Sequence, residues 1–288
     1  MTITIRRLSD TCGVAIDGVD VKVTTAETFR ELLEAVLEHR FIVLPGQQLT
    51  NEQYVAFGRR WGRPLKLINP RSRHGNCPEM IVQSNRESTP EALRDTANHW
   101  HCDSSYEAEA ATFTMLYGVE APDQGGITRF ADLVAAYRAL PAADRTRYGE
   151  LEVRHAVAAA TPLRDETISD TSRLPPEIAK GIVKLDPVLH PLVEEHPVNE
   201  RKALYGLGGS AFAIQGMDTD TGKELLLKLR RHATQDRFCS SYKLLPGDVL
   251  IWDNFSVMHR ATPARYSDEP GERRLNYRIS VKGVPGDS

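Results

Sequence analysis

The sequence predicts a mainly β protein, a β-sandwich or jelly roll decorated by a few helices. Three observations predict it. Many short runs of apolar and β-branched residues are cut by Gly and Pro, only a few stretches carry helical periodicity, and no internal repeat is present. At 288 residues the chain is long for one domain. Barrels and sandwiches with insertions reach this size, so residues 1–288 are read as a single domain.

Residues Thr2 to Val23 alternate enough for short strands, with Gly13 and Gly18 as turns. A helix follows, with Thr24 as cap, Glu27 three residues on, and Phe29, Leu32, Leu33, Val36 and Leu37 forming one apolar stripe. Phe41 to Leu44 is a buried strand ended by Pro45-Gly46, and Thr50 to Trp61 is a second capped helix closed by Gly62. Pro64 to Cys77 is a polar loop, Met80 to Gln83 a strand, and Asn85 to Asn98 a charged loop with the character of a lid. Thr112 to Val119 and Ile127 to Phe130 are strands around the turn Pro122 to Gly126, as in a hairpin. Asp132 caps a helix from Leu133 to Leu140, which Pro141 ends. Mixed polarity and Pro175-Pro176 mark an insertion at about 158–182. Strands return at Val188 to Val193 and Ala203 to Gly206, and a helix runs from about Lys223 to His232. Strands at Phe238 to Leu244 and Asp248 to Trp252 bracket Pro246-Gly247, and Arg274 to Val281 alternates again.

Composition excludes several classes. With 41% hydrophobic and 26% charged residues and a formal net charge of -3, the chain reads as an ordinary soluble globular protein. No basic block or aromatic-basic interleaving suggests nucleic acid. No run approaches the roughly 20 apolar residues of a membrane span, and Met1 to Asp10 lacks the apolar core of a signal peptide. The four cysteines, Cys12, Cys77, Cys102 and Cys239, form no C-x-x-C pair and fit free thiols in a reducing cytoplasm.

The chemistry centres on Trp100-His101-Cys102-Asp103. Alternate residues of a strand face the same way, so His101 and Asp103 project together while Cys102 turns aside. An imidazole beside a carboxylate is part of the 2-His-1-carboxylate triad that holds non-haem Fe(II) with positions left open. Alone, His-x-Asp is a weak signal, and a surface histidine beside a capping aspartate explains it as well. Most of the nine histidines have structural readings: His39 and His232 end helices, His74 lies in a loop, His155 follows a helix, and His190 and His196 lie beside prolines. His259 is the best third ligand, since it follows Trp252-Asp253-Asn254 and precedes Arg273, Arg274 and Arg278. His99, at an even offset from His101, is a candidate for supporting the ligands or touching substrate.

These residues resemble the taurine dioxygenase/2,4-dichlorophenoxyacetate dioxygenase family of Fe(II)/2-oxoglutarate-dependent oxygenases. Ordered matches run from Phe41 to Pro45 through His101-Cys102-Asp103-Ser104-Ser105, Gly125 to Asp132, His190 to Val193, His196-Pro197, Ala203 to Tyr205, Trp252-Asp253-Asn254 and His259 to Glu272-Arg273-Arg274. The resemblance implies a double-stranded β-helix (jelly roll) and, as cofactors, Fe(II), 2-oxoglutarate and O2. It implies that His101, Asp103 and His259 hold the iron and that Thr128 and Arg274 anchor the distal carboxylate of 2-oxoglutarate, for which a hydroxyl and a guanidinium supply suitable donors. Arg278 corresponds to the family's arginine for an acidic group of the prime substrate, which implies a small anionic substrate.

The chain departs from the family in places. Cys102 replaces the usual threonine or serine between the ligands and is expected to be oxidation-prone beside iron. Asn69 and Ala97 stand where taurine-specific enzymes place a histidine and an amide, which argues against taurine while keeping Asn69 as a substrate-contact candidate. The expected reaction is hydroxylation of an unactivated C–H bond with release of succinate and CO2, and the resemblance favours a homo-oligomer. Two other readings stand beside it. One is a jelly-roll zinc hydrolase or isomerase, which needs no Thr-Arg anchor, and the other is a non-catalytic metal-binding module. Metal dependence separates the first from the oxygenase, and turnover of 2-oxoglutarate removes the second.

Overall fold

Short alternating strands fold into two facing sheets because each has one apolar face to bury. The structure is a computed structural model, and it describes residues 3–65, 73–89, 97–156, 186–263, 265–283 and 285. The expected insertion and Asn69 lie outside the described residues.

The larger sheet runs in the order β1 (Thr4–Arg7), β2 (Val14–Asp17), β3 (Phe41–Leu44), β14 (Val249–Asp253), β6 (Phe113–Glu120), β16 (Leu275–Lys282) and β4 (Arg63–Pro64), with β5 (Ile81–Ser84) also on β16. Its pairs are antiparallel except β2 with β3. Facing it is the three-stranded sheet β13 (Cys239–Lys243), β7 (Ile127–Asp132) and β15 (Val257–Ala261). Beyond that lie β12 (Ala211–Ile214), β8 (Glu152–His155) and β9 (Val188–Pro191), and the hairpin of β10 (Val193–Glu195) with β11 (Lys202–Leu204).

Strand alternation sorts the core. Phe113, Met115, Val249, Ile251 and Ile279 leave the large sheet outward, against α1 (Ala26–His39) and α2 (Asn51–Arg59). Leu32 and Val36 of α1 are fully buried there, each stabilising by about 1.5–3 kcal/mol. Phe41, Val43, Leu250 and Trp252 leave it inward and meet Phe130 and Val257 of the facing sheet. The outer side of that sheet, through Ala131 and Met258, packs with α3 (Leu133–Arg138) and α5 (Thr219–Ala233), while α4 (Ala142–Tyr148) follows α3.

Several expectations shift. Thr25, not Thr24, caps α1, because the Thr24 hydroxyl is bound to Asp20 O while Thr25 receives Thr28 N. Pro141 precedes a helix, α4, that the sequence reading missed. β6 and β7 are not a hairpin. Both edges of β6 are taken by β14 and β16, so β7 crosses to the other sheet, and β13 and β14 are likewise separated. Asp218 starts α5 one turn earlier than expected, and β8, β12 and β15 were not expected as strands.

Candidate metal centre

The pairing of β15 with β7 sets His259 opposite Phe130 and Ala261 opposite Thr128, so all four side chains share the interior face. One antiparallel bridge then fastens His101 to His259: His101 N donates to His259 O at 3.0 Å, and His259 N to His101 O at 2.9 Å. The expected strand through the motif is therefore a single bridge followed by a turn that begins at Asp103, with Ser104 at φ 56°. Alternation survives over these residues. Cys102 turns to the outer core, its Sγ 3.4 Å from Val257 O. Burial, with Asp103 and Asp253 adding to it, pushes the Cys102 thiol far above the ordinary range. The Cys102 side chain is thereby shielded from solvent. Gly209 allows the ligand loop to sit this close, since a Cβ there would stand 2.3 Å from His99 Cδ2.

Donor atoms of His101, Asp103 and His259 all lie within 4.8 Å of one another. Asp103 Oδ1 is 3.7 Å from His101 Nε2 and 3.8 Å from His259 Nε2. His101 Nδ1 donates to the His99 carbonyl at 2.8 Å, which leaves Nε2 as the electron-pair donor facing the carboxylate. Among the described residues His259 Nδ1 is buried without a hydrogen-bond partner, and the ring is oriented by Trp252 and Phe130, with centroids 4.6 and 6.3 Å away. Burial opposes ionisation of Asp103, but Arg278, whose Nη2 lies 2.7 Å from Oδ1, outweighs it with help from both imidazoles and holds the carboxyl at about 2. Burial and the neighbouring His101 lower the His259 imidazole well below its ordinary value. Two imidazoles and one carboxylate suit non-haem Fe(II).

The family model described as taurine catabolism dioxygenase TauD, TfdA family matches residues 4–279. The chain belongs to the TauD/TfdA dioxygenase family. It is 32% identical over 280 residues to the (S)-phenoxypropionate/alpha-ketoglutarate-dioxygenase of Sphingobium herbicidovorans, covering 96% of this chain and 94% of the relative. It is 30% identical over 275 residues to the alpha-ketoglutarate-dependent 2,4-dichlorophenoxyacetate dioxygenase of Cupriavidus pinatubonensis, covering 90% and 92%. The crystal structure of AAD-2 in complex with Mn(II) and N-oxalylglycine superposes with a TM-score of 0.78 at 29% identity, covering 99% of this chain and 98% of that one. The protein is thus a 2-oxoglutarate-dependent non-haem iron dioxygenase of jelly-roll fold, with Fe(II), 2-oxoglutarate and O2 as cofactors. The zinc hydrolase and the non-catalytic module give way to it.

In this dioxygenase Thr128, Arg274, Arg278 and His99 lie on elements around the same interior, while Asn69 is outside the described residues. Arg274 precedes β16, its backbone held by Asn85: Arg274 N donates to Asn85 Oδ1 at 2.5 Å, and Asn85 N to Arg274 O at 3.2 Å. Arg274 Cδ lies 4.0 Å from where a Cβ on Gly126 would stand, which brings the arginine beside the start of the strand that carries Thr128. Arg274 and Arg278 keep the same side of β16, because the register break against β6 places the extra residue on β6 and the pairing with β5 is unbroken. His99 is buried and orients His101 through its carbonyl, with the two rings 5.0 Å apart.

Sequence reasoning missed that Thr114 and Asn254 hold Asp103, with Ser280 behind Thr114. Thr114 Oγ1 donates to Asp103 Oδ2 at 2.7 Å, Asp103 N donates to Asn254 Oδ1 at 3.2 Å, and Asn254 Nδ2 donates to Thr114 Oγ1 at 2.9 Å. Ser280 Oγ joins Thr114 at 2.9 Å and accepts from Arg278 Nε at 3.2 Å. Thr114 and Ser280 were signalled only as polar residues at inward positions of buried strands.

Proposed function

We propose that His101, Asp103 and His259 bind the iron, that Thr128 and Arg274 bind the distal carboxylate of 2-oxoglutarate, and that Arg278 receives an acidic group of a small carboxylic substrate. The observation that carries the reading is the convergence of two imidazoles and one carboxylate within 4.8 Å. When bound, iron and 2-oxoglutarate supply the oxidation, the co-substrate giving succinate and CO2 as O2 is consumed and a substrate C–H bond is hydroxylated.

The chain's own residues bind, orient and exclude water. Leu116, Phe130 and Trp252 form a dry wall. Asp103 and Arg278 neutralise one another inside it. Once Asp103 is engaged by metal, the Arg278 fork has donors to offer a carboxylate. Relatives named for 2,4-dichlorophenoxyacetate and (S)-phenoxypropionate support an aryloxy-carboxylic acid as the substrate class. His99 and Asn69 are proposed as its neighbours. Four free cysteines support a reducing cytoplasmic setting, and the family resemblance supports a homo-oligomer of single-domain subunits. No helix among the described residues is long and apolar enough to cross a membrane.

The test begins without oxygen. Fe(II) followed by 2-oxoglutarate gives a visible charge-transfer band in the wild type, and the band is absent in His259→Ala; a band that persists removes His259 from the ligand set. Arg274→Ala raises the KM for 2-oxoglutarate by about 10- to 100-fold, the cost of one charge-assisted hydrogen-bonded contact. Arg278→Ala raises the KM for a phenoxyalkanoic acid more than that for 2-oxoglutarate, and the opposite order means the two arginines exchange roles.

A further inference from the structure

We infer that Thr114 is a positioning residue for the metal site: it holds Asp103 with one carboxylate oxygen turned to the metal and the other turned away. The inference rests on the proposed role of Asp103 as an iron ligand.

The two oxygens of Asp103 have different surroundings. Oδ1 faces both imidazole Nε2 atoms and Arg278. Oδ2 receives the Thr114 hydroxyl at 2.7 Å. A hydroxyl has one hydrogen and two lone pairs. The carboxylate is the stronger acceptor for the Thr114 hydrogen, while the Thr114 oxygen accepts from Asn254 Nδ2 at 2.9 Å and lies 2.9 Å from Ser280 Oγ. Asn254 Oδ1 accepts from Asp103 N at 3.2 Å and from Trp252 Nε1 at 3.0 Å. Asp103, Thr114, Asn254 and Ser280 are all at most 3% exposed, so no bulk water competes for these bonds.

Thr114 is also the rigid member of the group. It lies on β6, flanked on both sides by β14 and β16, whereas Asp103 lies on a turn. Without the Thr114 hydrogen bond, Asp103 could rotate and present both oxygens to a metal, occupying a position that the co-substrate or O2 requires. Loss of such an outer partner typically costs 10- to 100-fold in metal affinity.

The experiment titrates the metal-free protein with Co(II) and Mn(II) and compares Thr114→Val, which keeps shape and removes the hydroxyl, with Thr114→Ser, which keeps the hydroxyl. Thr114→Val is expected to bind both metals about 10- to 100-fold more weakly and to change the visible Co(II) spectrum as the carboxylate binds through both oxygens. Thr114→Ser restores affinity and spectrum. Melting of the metal-free variants reports whether the fold is intact, and if Thr114→Val does not fold, Thr114→Ala is read by the same titration. Wild-type affinity and spectrum in the hydroxyl-free variant, or a serine variant as weak as it, overturns the inference. His259→Ala separates the two levels. If it binds Co(II) like the wild type, the ligand assignment fails and this inference with it; if it loses Co(II) while Thr114→Val retains it, only the role of Thr114 falls.

Discussion

His155 is the residue through which acid most directly reaches the fold. It is fully buried, both ring nitrogens lack hydrogen-bond partners among the described residues, and burial together with neighbouring His190 lowers its pKa to about 3. An unfolded chain binds a proton at this imidazole near its ordinary value while the folded chain refuses it, so stability is complete above about pH 6.5 and is lost as pH falls toward 3. The loss approaches about 1.4 kcal/mol per pH unit within that window. Urea unfolding of His155→Phe between pH 4 and 8 should therefore show a flatter acid limb than the wild type; equal slopes would mean that this imidazole is not kept neutral. Candidate residues were legible where spacing carries chemistry. His101 and Asp103 stood out by two-residue alternation, whereas Arg274 and Arg278 were marked by the family resemblance, with the even offset only placing Arg278 on the face of Arg274. Thr114 was not readable, because a hydroxyl within a β-rich run looks the same whether it holds a ligand or fills the sheet.

Among the elements, the junction of α1 and α3 is joined by a buried ion pair. Arg40, at φ 74° after the end of α1, donates Nε to Asp132 Oδ1 at 3.2 Å and Nη1 to Leu37 O at 2.8 Å. Asp132 Oδ1 also caps α3 by accepting from Ala135 N at 2.8 Å. Both side chains of the pair are 7% exposed. Asp132→Ala removes the cap and leaves a buried guanidinium without its counter-ion, lowering stability by about 3–5 kcal/mol in chemical unfolding. Asp132→Asn keeps the cap and shows how much of the loss is charge; equal stability of wild type and Asp132→Ala would refute the clamp. Helix starts were readable here, since Asp132 and Thr50 precede apolar periodic runs and both cap as expected. Partnership of strands was not. β6 and β7 are neighbours in sequence with a turn between them, yet their pairing is decided by which edges the distant strands β14, β15 and β16 occupy. β15 itself, Val-Met-His-Arg-Ala, carries too little alternation to announce a strand.

At the scale of the molecule, metal and fold are linked through the ligands. A metal that binds only the folded chain raises the apparent stability by about 2.7 kcal/mol at a free concentration of 100 times its Kd. Thermal melts of the wild type should rise with Mn(II), and those of His259→Ala should not; a rise in both places the metal elsewhere. Architecture was readable from strand number and the ordered motif set, while the path between sheets was not, because loop-crossing order leaves no local signature. The position of β16 has a consequence for how the molecule is made. Asp103 and Thr114 leave the ribosome long before Arg278 and Ser280, the latter separated from Thr114 by 166 positions. A nascent chain thus holds a carboxylate without its counter-ion and a hydroxyl without its anchor. The hydrogen-bonded setting of Asp103 is therefore complete only when the last described strand is added.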